Sequence, residues 1–172
     1  TALSVENAME RPQRKRLRLP EYDYSQPGYY FITICTKERH QEILCSIEHT
    51  VGAIINRPPR ISLTSLGRIV DETIRAIPDH YPGISVDQFI IMPDHVHLIL
   101  SFRHIGPDGR QIAAPTPLPN VIQQMKRIIS KQVGVSLWQK GFYDHVIRND
   151  EDLTNVRRYI RSNPLKWIQD KD

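Results

Sequence analysis

The sequence predicts an α+β fold, one mainly antiparallel β-sheet with helices packed on it. Three observations carry this. Residues 84–92 and 95–102 read as two strands about a tight turn at Pro93-Asp94, which makes them antiparallel neighbours. Residues 29–36, Tyr-Tyr-Phe-Ile-Thr-Ile-Cys-Thr, are aromatic and β-branched and suit a central strand. Two apolar stripes recur at helical spacing: Leu66, Ile69, Val70, Ile74 and Ile77, then Leu118, Val121, Ile122, Met125, Ile128, Ile129 and Val133.

At 172 residues the chain suits one domain with a sizeable core. It contains no apolar run of membrane-spanning length and no signal-like apolar stretch after its polar, then basic, beginning. The expectation is a cytoplasmic protein with no membrane partner. Cys35 and Cys45 do not form a Cys-x-x-Cys pair, so neither a disulfide framework nor a zinc knuckle is indicated. The net charge of +4 is modest, but the cations cluster. Arg11, Arg14, Lys15, Arg16 and Arg18 form one acid-free run; Arg157, Arg158, Arg161 and Lys166 form a second. Such clusters are either the footprint of a phosphate backbone or a solvated tail and a salt-bridged helix face.

In chain order, residues 1–19 read as a mobile basic arm, and 20–172 as a single domain. Pro27-Gly28 turns into the first strand. Between 42 and 61 two short apolar runs, 43–45 and 51–55, suggest an accessory hairpin closed by Pro58-Pro59. Thr64 or Ser65 caps the first helix, and Pro82-Gly83 ends that segment. Residues 103–117 form a Pro- and Gly-rich surface loop. The next helix carries Gln123, Gln124, Lys126, Arg127 and Lys131 opposite its apolar stripe, either as a DNA surface or as a solvated face. Residues 142–147 suit a strand. Asn149 or Asp150 then caps a helix whose stripe is Leu153, Val156 and Ile160, with carboxylates in its first turn. Pro164 is expected to stop it.

The second strand of the predicted turn begins His95-Val96-His97. Alternation puts His95, His97 and Ile99 on one face and Val96, Leu98 and Leu100 on the other. Imidazoles at i and i+2 stand roughly 6–7 Å apart along a strand, so both can reach one metal ion. A half-exposed polar pair has the same pattern, and a metal needs further ligands. Asp94 is a turn residue that could also orient His95; His145 is either a second-layer partner of the histidines or a surface residue. Tyr159 and Asn163, at i and i+4, share one margin of the last helical stripe, at the seam between helix and sheet.

The ordered set resembles a known family. His95-Val96-His97, residues 137–149 (Leu-Trp-Gln-Lys-Gly-Phe-Tyr-Asp-His-Val-Ile-Arg-Asn) and Tyr159-Ile160-Arg161-Ser162-Asn163-Pro164 are similar to the single-tyrosine HUH transposases. The REP-associated tyrosine transposases resemble it most, and Arg18-Leu19-Pro20 with residues 22–28 resembles that branch's entry segment. The likeness runs from about Arg14 to Trp167. It implies a ferredoxin-like antiparallel sheet with flanking helices, and endonuclease and strand-transfer chemistry on hairpin-bearing single-stranded DNA. By position it implies Tyr159 as nucleophile, His95 and His97 as metal ligands, and Asn163 as a further ligand where insertion-sequence relatives usually have Gln. It implies Mg²⁺ or Mn²⁺, although imidazole ligands alone often mean zinc. The candidate DNA contacts are Arg14, Lys15, Arg16, Arg18, Lys126, Arg127, Arg157, Arg158 and Arg161. The working state is either a monomer or a homodimer.

Two other functions share these features. A non-catalytic hairpin DNA- or RNA-binding module would keep the basic faces and form no covalent adduct. A metal-dependent phosphodiester hydrolase would cut without Tyr159; no acidic residue stands in an obvious general-base position beside the histidines.

Overall fold

The computed structural model describes residues 19–39, 41–48, 58–105, 108–110 and 116–170. All of the basic arm but Leu19, the 51–55 run and part of the 103–117 loop lie outside these. The main sheet has four strands: β1 (Gly28–Cys35), β4 (Ile84–Ile91), β5 (His95–Phe102) and β6 (Tyr143–Ile147). Their order is β4-β5-β1-β6, and every neighbouring pair is antiparallel. The long helices are α1 (Ser65–Arg75), α3 (Leu118–Val133) and α4 (Asp150–Gln169); α2 (Ile77–His80) is a single turn. Through β1, α1, β4, β5, α3 and β6 the chain runs strand–helix–strand–strand–helix–strand, the ferredoxin-like arrangement that the family resemblance implied.

Alternation along β1 and β5 builds two cores. Tyr30, Ile32, Ile34, Val96, Leu98 and Leu100 are fully buried on one face, under Val70 and Ile74 of α1 and Val121, Ile122 and Ile129 of α3. On the other face Ile99 and Ile147 meet Leu153 and Ile160 of α4, with Phe31 and Val156 packed beside them. Each such aliphatic side chain contributes roughly 1.5–3 kcal/mol of burial free energy. The sheet is thus a middle layer, with α1 and α3 on one side and α4 on the other. The odd-numbered residues of β1 and β5 face α4.

Thr64 caps α1, its hydroxyl accepting from the Gly67 amide at 3.0 Å. A Cβ on Gly67 would lie 2.0 Å from the Leu44 carbonyl oxygen, so glycine lets this first turn lie directly on the incoming chain. Among the described residues no helix is long and apolar enough to cross a membrane.

Two details differ from expectation. The accessory hairpin pairs β2 (Cys45–Glu48) with β3 (Arg60–Leu63), so its second strand follows Pro58-Pro59 instead of preceding it. Prolines are tolerated where a strand begins, and there they introduce one. Pro164 also fails to stop α4, which continues to Gln169. A proline removes one backbone hydrogen bond and crowds the preceding turn. Here Pro164 itself and Ile168 are buried, and that packing holds the last turns of the helix in place.

Candidate functional site

The site forms where the start of β5 meets the second half of α4. His95 and His97 leave β5 on the α4 side, and their Nε2 atoms stand 3.2 Å apart. The outer nitrogens are both engaged. His95 Nδ1 lies 2.6 Å from Asp94 Oδ1, and His97 Nδ1 lies 2.9 Å from Thr33 Oγ1. Asp94 is fully buried in the β4–β5 turn, where Arg39 Nε donates to its Oδ2 at 3.1 Å and the Thr36 hydroxyl donates to its carbonyl at 2.9 Å. It is therefore both a turn residue and the partner that orients His95. A carboxylate and a hydroxyl at the two Nδ1 positions favour the tautomer that frees Nε2 on each ring.

Burial pushes the His95 imidazole below its ordinary range, partly opposed by Asp94. Burial and the neighbouring His95 push His97 down to about 3, opposed by its hydrogen bond with Asn163. Both rings are thus neutral at physiological pH, the state in which imidazole ligates a metal.

Tyr159 and Asn163 come from α4. The Tyr159 ring is 5.3 Å from the His97 ring and 6.0 Å from Phe31, both edge-on, and the residue keeps 41% of its surface exposed. Asn163 is buried; its Nδ2 donates to the Tyr159 carbonyl, which turns the amide oxygen toward the histidines. The continuation of α4 past Pro164 adds Lys166, whose Nζ is 5.4 Å from the Tyr159 ring centre, and Trp167, 6.1 Å from the His95 ring. These groups, with Thr33, Cys35, Arg39, Tyr143 and Asp170, line an open cleft of about 440 Å³.

The donor set suits a small divalent cation. Two nitrogens each about 2.1 Å from one ion stand about 3.0 Å apart at a right angle and about 3.4 Å apart at a tetrahedral one. The observed 3.2 Å falls between. Among the described residues no group of three or more His, Cys, Asp or Glu converges to form a closed cage. Two imidazoles and an amide oxygen would leave open positions for water or phosphate oxygens.

The other candidate residues scatter. His145 bonds Asp152 at 2.8 Å, near the start of α4. Arg157 forms a two-pronged ion pair with Asp87 of β4, Nε at 2.9 Å from Oδ2 and Nη2 against Oδ1. Lys126 Nζ donates to the Gln139 and Gly141 carbonyls at 2.6 and 2.7 Å, fastening the segment before β6. Arg127 is exposed on α3, on the opposite side of the sheet from the cleft, while Arg158 and Arg161 are exposed on α4. Arg14, Lys15, Arg16 and Arg18 lie outside the described residues. Thr33, Arg39, Tyr143 and Lys166 were not singled out as site residues. Thr33 is a polar residue on the strand face it shares with Tyr29, Phe31 and Cys35, but its place beside His97 depends on the β1–β5 register.

No protein-family model matches the chain. It is 30% identical over 175 residues to an uncharacterised protein of Haemophilus influenzae, covering 92% of each. It is 27% identical over 151 residues to a putative REP-associated tyrosine transposase of the same organism, covering 84% of this chain and 74% of that one. Most of the chain is thus similar to REP-associated tyrosine transposases. A REP-associated tyrosine transposase of Escherichia coli is 25% identical over 87 residues, 49% of this chain and 47% of that one. The fold agrees with a solved REP-associated tyrosine transposase bound to a REP hairpin: TM-score 0.61, 19% identity, 87% of this chain and 73% of that one.

Proposed function

We propose that this chain is a REP-associated tyrosine transposase that cuts and rejoins hairpin-bearing single-stranded DNA through a covalent bond to Tyr159, with His95, His97 and Asn163 holding Mg²⁺ or Mn²⁺. One observation carries the reading. An exposed phenol on α4 stands 5.3 Å, ring to ring, from a buried imidazole on β5 whose partner nitrogen is 3.2 Å away. When bound, the cation would polarise the scissile phosphate and offset charge developing on it.

The chain's own residues do the rest. Tyr159 Oη attacks phosphorus and loses its proton to solvent, which its exposure allows. The P–O3′ bond breaks, O3′ takes up a proton, and the 5′ side stays on the enzyme as a phosphotyrosine. A 3′-OH can then attack that phosphorus, breaking the tyrosine–phosphate bond and restoring a phosphodiester. Asn163 ties the Tyr159 carbonyl and His97 together, so nucleophile and ligand pair keep one geometry. Arg158 and Arg161 supply exposed positive charge on α4, a sequence-independent attraction for the strand. The hairpin as substrate is supported by the REP hairpin in the solved relative.

The test is a denaturing gel with labelled hairpin oligonucleotides from the DNA flanking the gene, plus Mn²⁺ or Mg²⁺. An SDS-resistant adduct lost in Tyr159→Phe and in His97→Ala is expected. Cutting that survives Tyr159→Phe would assign a metal-activated water instead, and tight binding without cutting a recognition module.

A further inference from the structure

Among the described residues, two aromatic side chains are left largely exposed, Tyr159 at 41% and Tyr143 at 55%, and both line the same cleft. Tyr159 has a role in the reading above; Tyr143 has none. An exposed aromatic ring forgoes the burial that usually keeps such a side chain in a protein. The sheet explains where it stands. β1 pairs Thr33 with His97 on one side and with Tyr143 on the other, so the three form one row across β5, β1 and β6 on the α4 face. Tyr143 is thus two strand spacings, roughly 10 Å, from the ligand pair. Among the described residues β6 is the edge strand of the sheet. A small recess of about 30 Å³ lies beside it, lined by Thr33, Cys35 and residues 139–142. The exposed ring is open to a flat ligand lying in the cleft. The segment carrying it is fixed, because Lys126 holds the Gln139 and Gly141 carbonyls just before β6.

We infer that Tyr143 is a stacking platform for one unpaired nucleobase next to the scissile phosphate, and so positions the strand over Tyr159 and contributes to choosing where it is cut. This rests on the proposed single-strand DNA reaction. A paired base hides its faces in the duplex, so the platform selects for single-stranded flank over hairpin stem. Stacking is tolerant of base identity and sensitive to base presence.

The test uses hairpin oligonucleotides from the gene's flanks with single abasic sites walked through the unpaired region on both sides of the cut. Adduct formation is measured with wild type, Tyr143→Phe and Tyr143→Ala in Mn²⁺. Tyr143→Phe is expected to match wild type. Tyr143→Ala should raise KM about 5- to 100-fold with a smaller change in kcat. At one position the abasic penalty seen with wild type should vanish in Tyr143→Ala. The inference is overturned if the abasic profile of Tyr143→Ala equals that of wild type, or if Tyr143→Phe falls as far as Tyr143→Ala. Failure of wild type to form any adduct would sink the reaction itself, a separate result; binding of the same abasic series then still reads the platform as a change in Kd.

Discussion

Nε2 of His95 faces Nε2 of His97 across 3.2 Å, while Asp94 and Thr33 occupy the two Nδ1 atoms. With both Nδ1 atoms protonated, two lone pairs converge, and they repel unless a cation lies between them. Mn²⁺ is therefore expected to raise the melting temperature, and EDTA to reverse the rise. At a hundred times its Kd a ligand adds about 2.7 kcal/mol of stability. His97→Ala should abolish the shift. Asp94→Asn should weaken Mn²⁺ binding about 10- to 100-fold by loosening His95. An equal shift in wild type and His97→Ala would place the ion elsewhere.

Tyr159 meets His97 of its own chain, ring centres 5.3 Å apart. One copy therefore holds a complete set of groups. Mixing Tyr159→Phe with His97→Ala, each inactive alone, is expected to restore no adduct formation. Recovery on mixing would mean that α4 is exchanged between two copies in the working state.

The fold was legible because its cores follow two simple periods. Alternation in residues 29–36 and 95–102 named the buried faces, and the 3.6-residue stripes named the helices. His95, His97, Tyr159 and Asn163 were legible because each lies at a fixed place in a strong local pattern. Thr33 and Tyr143 were not, because each owes its place to strand register, a long-range property that no local window contains. The places of Lys166 and Trp167 beside Tyr159 and His95 were not legible for a different reason. A local rule about Pro164 ended the helix on paper, whereas tertiary packing of Ile168 carries it on. Arg157 and Lys126 show the converse, since clustering of like charges says nothing about which cations a fold spends internally.

Neither cysteine should react as a free surface thiol. Burial pushes the Cys45 thiol up to about 12, and it raises Cys35 as well, only partly opposed by Arg39. A raised pKa leaves little thiolate at pH 8, and thiolate is the reactive form. Native protein should therefore resist labelling by a disulfide reagent at pH 8, with both thiols reacting at once in urea. Fast native labelling of Cys35 at pH 8 would mean that Arg39 outweighs burial at the cleft floor.

Lys166 brings a cation beside the proposed nucleophile, its Nζ 5.4 Å from the Tyr159 ring centre, and it is there because α4 runs through Pro164. Tyr159, Asn163 and Lys166 follow at i, i+4 and i+7, one face of a continuous helix. A helix ending at Pro164 would not hold the ammonium over the cleft. Its charge favours the anionic phosphate that arrives and the phosphotyrosine that forms. An exposed ion pair of this kind is worth about 0.2–1 kcal/mol. Lys166→Met should therefore slow single-turnover adduct formation about two- to fivefold, more at low salt than at high, because exposed charges are screened. Lys166→Arg should retain most of the rate. The side chain is exposed, so the melting temperature should hardly move in either variant. A Lys166→Met rate equal to wild type at low salt would leave the cation outside the reaction and reduce the role of the last turns of α4 to packing Trp167 against His95.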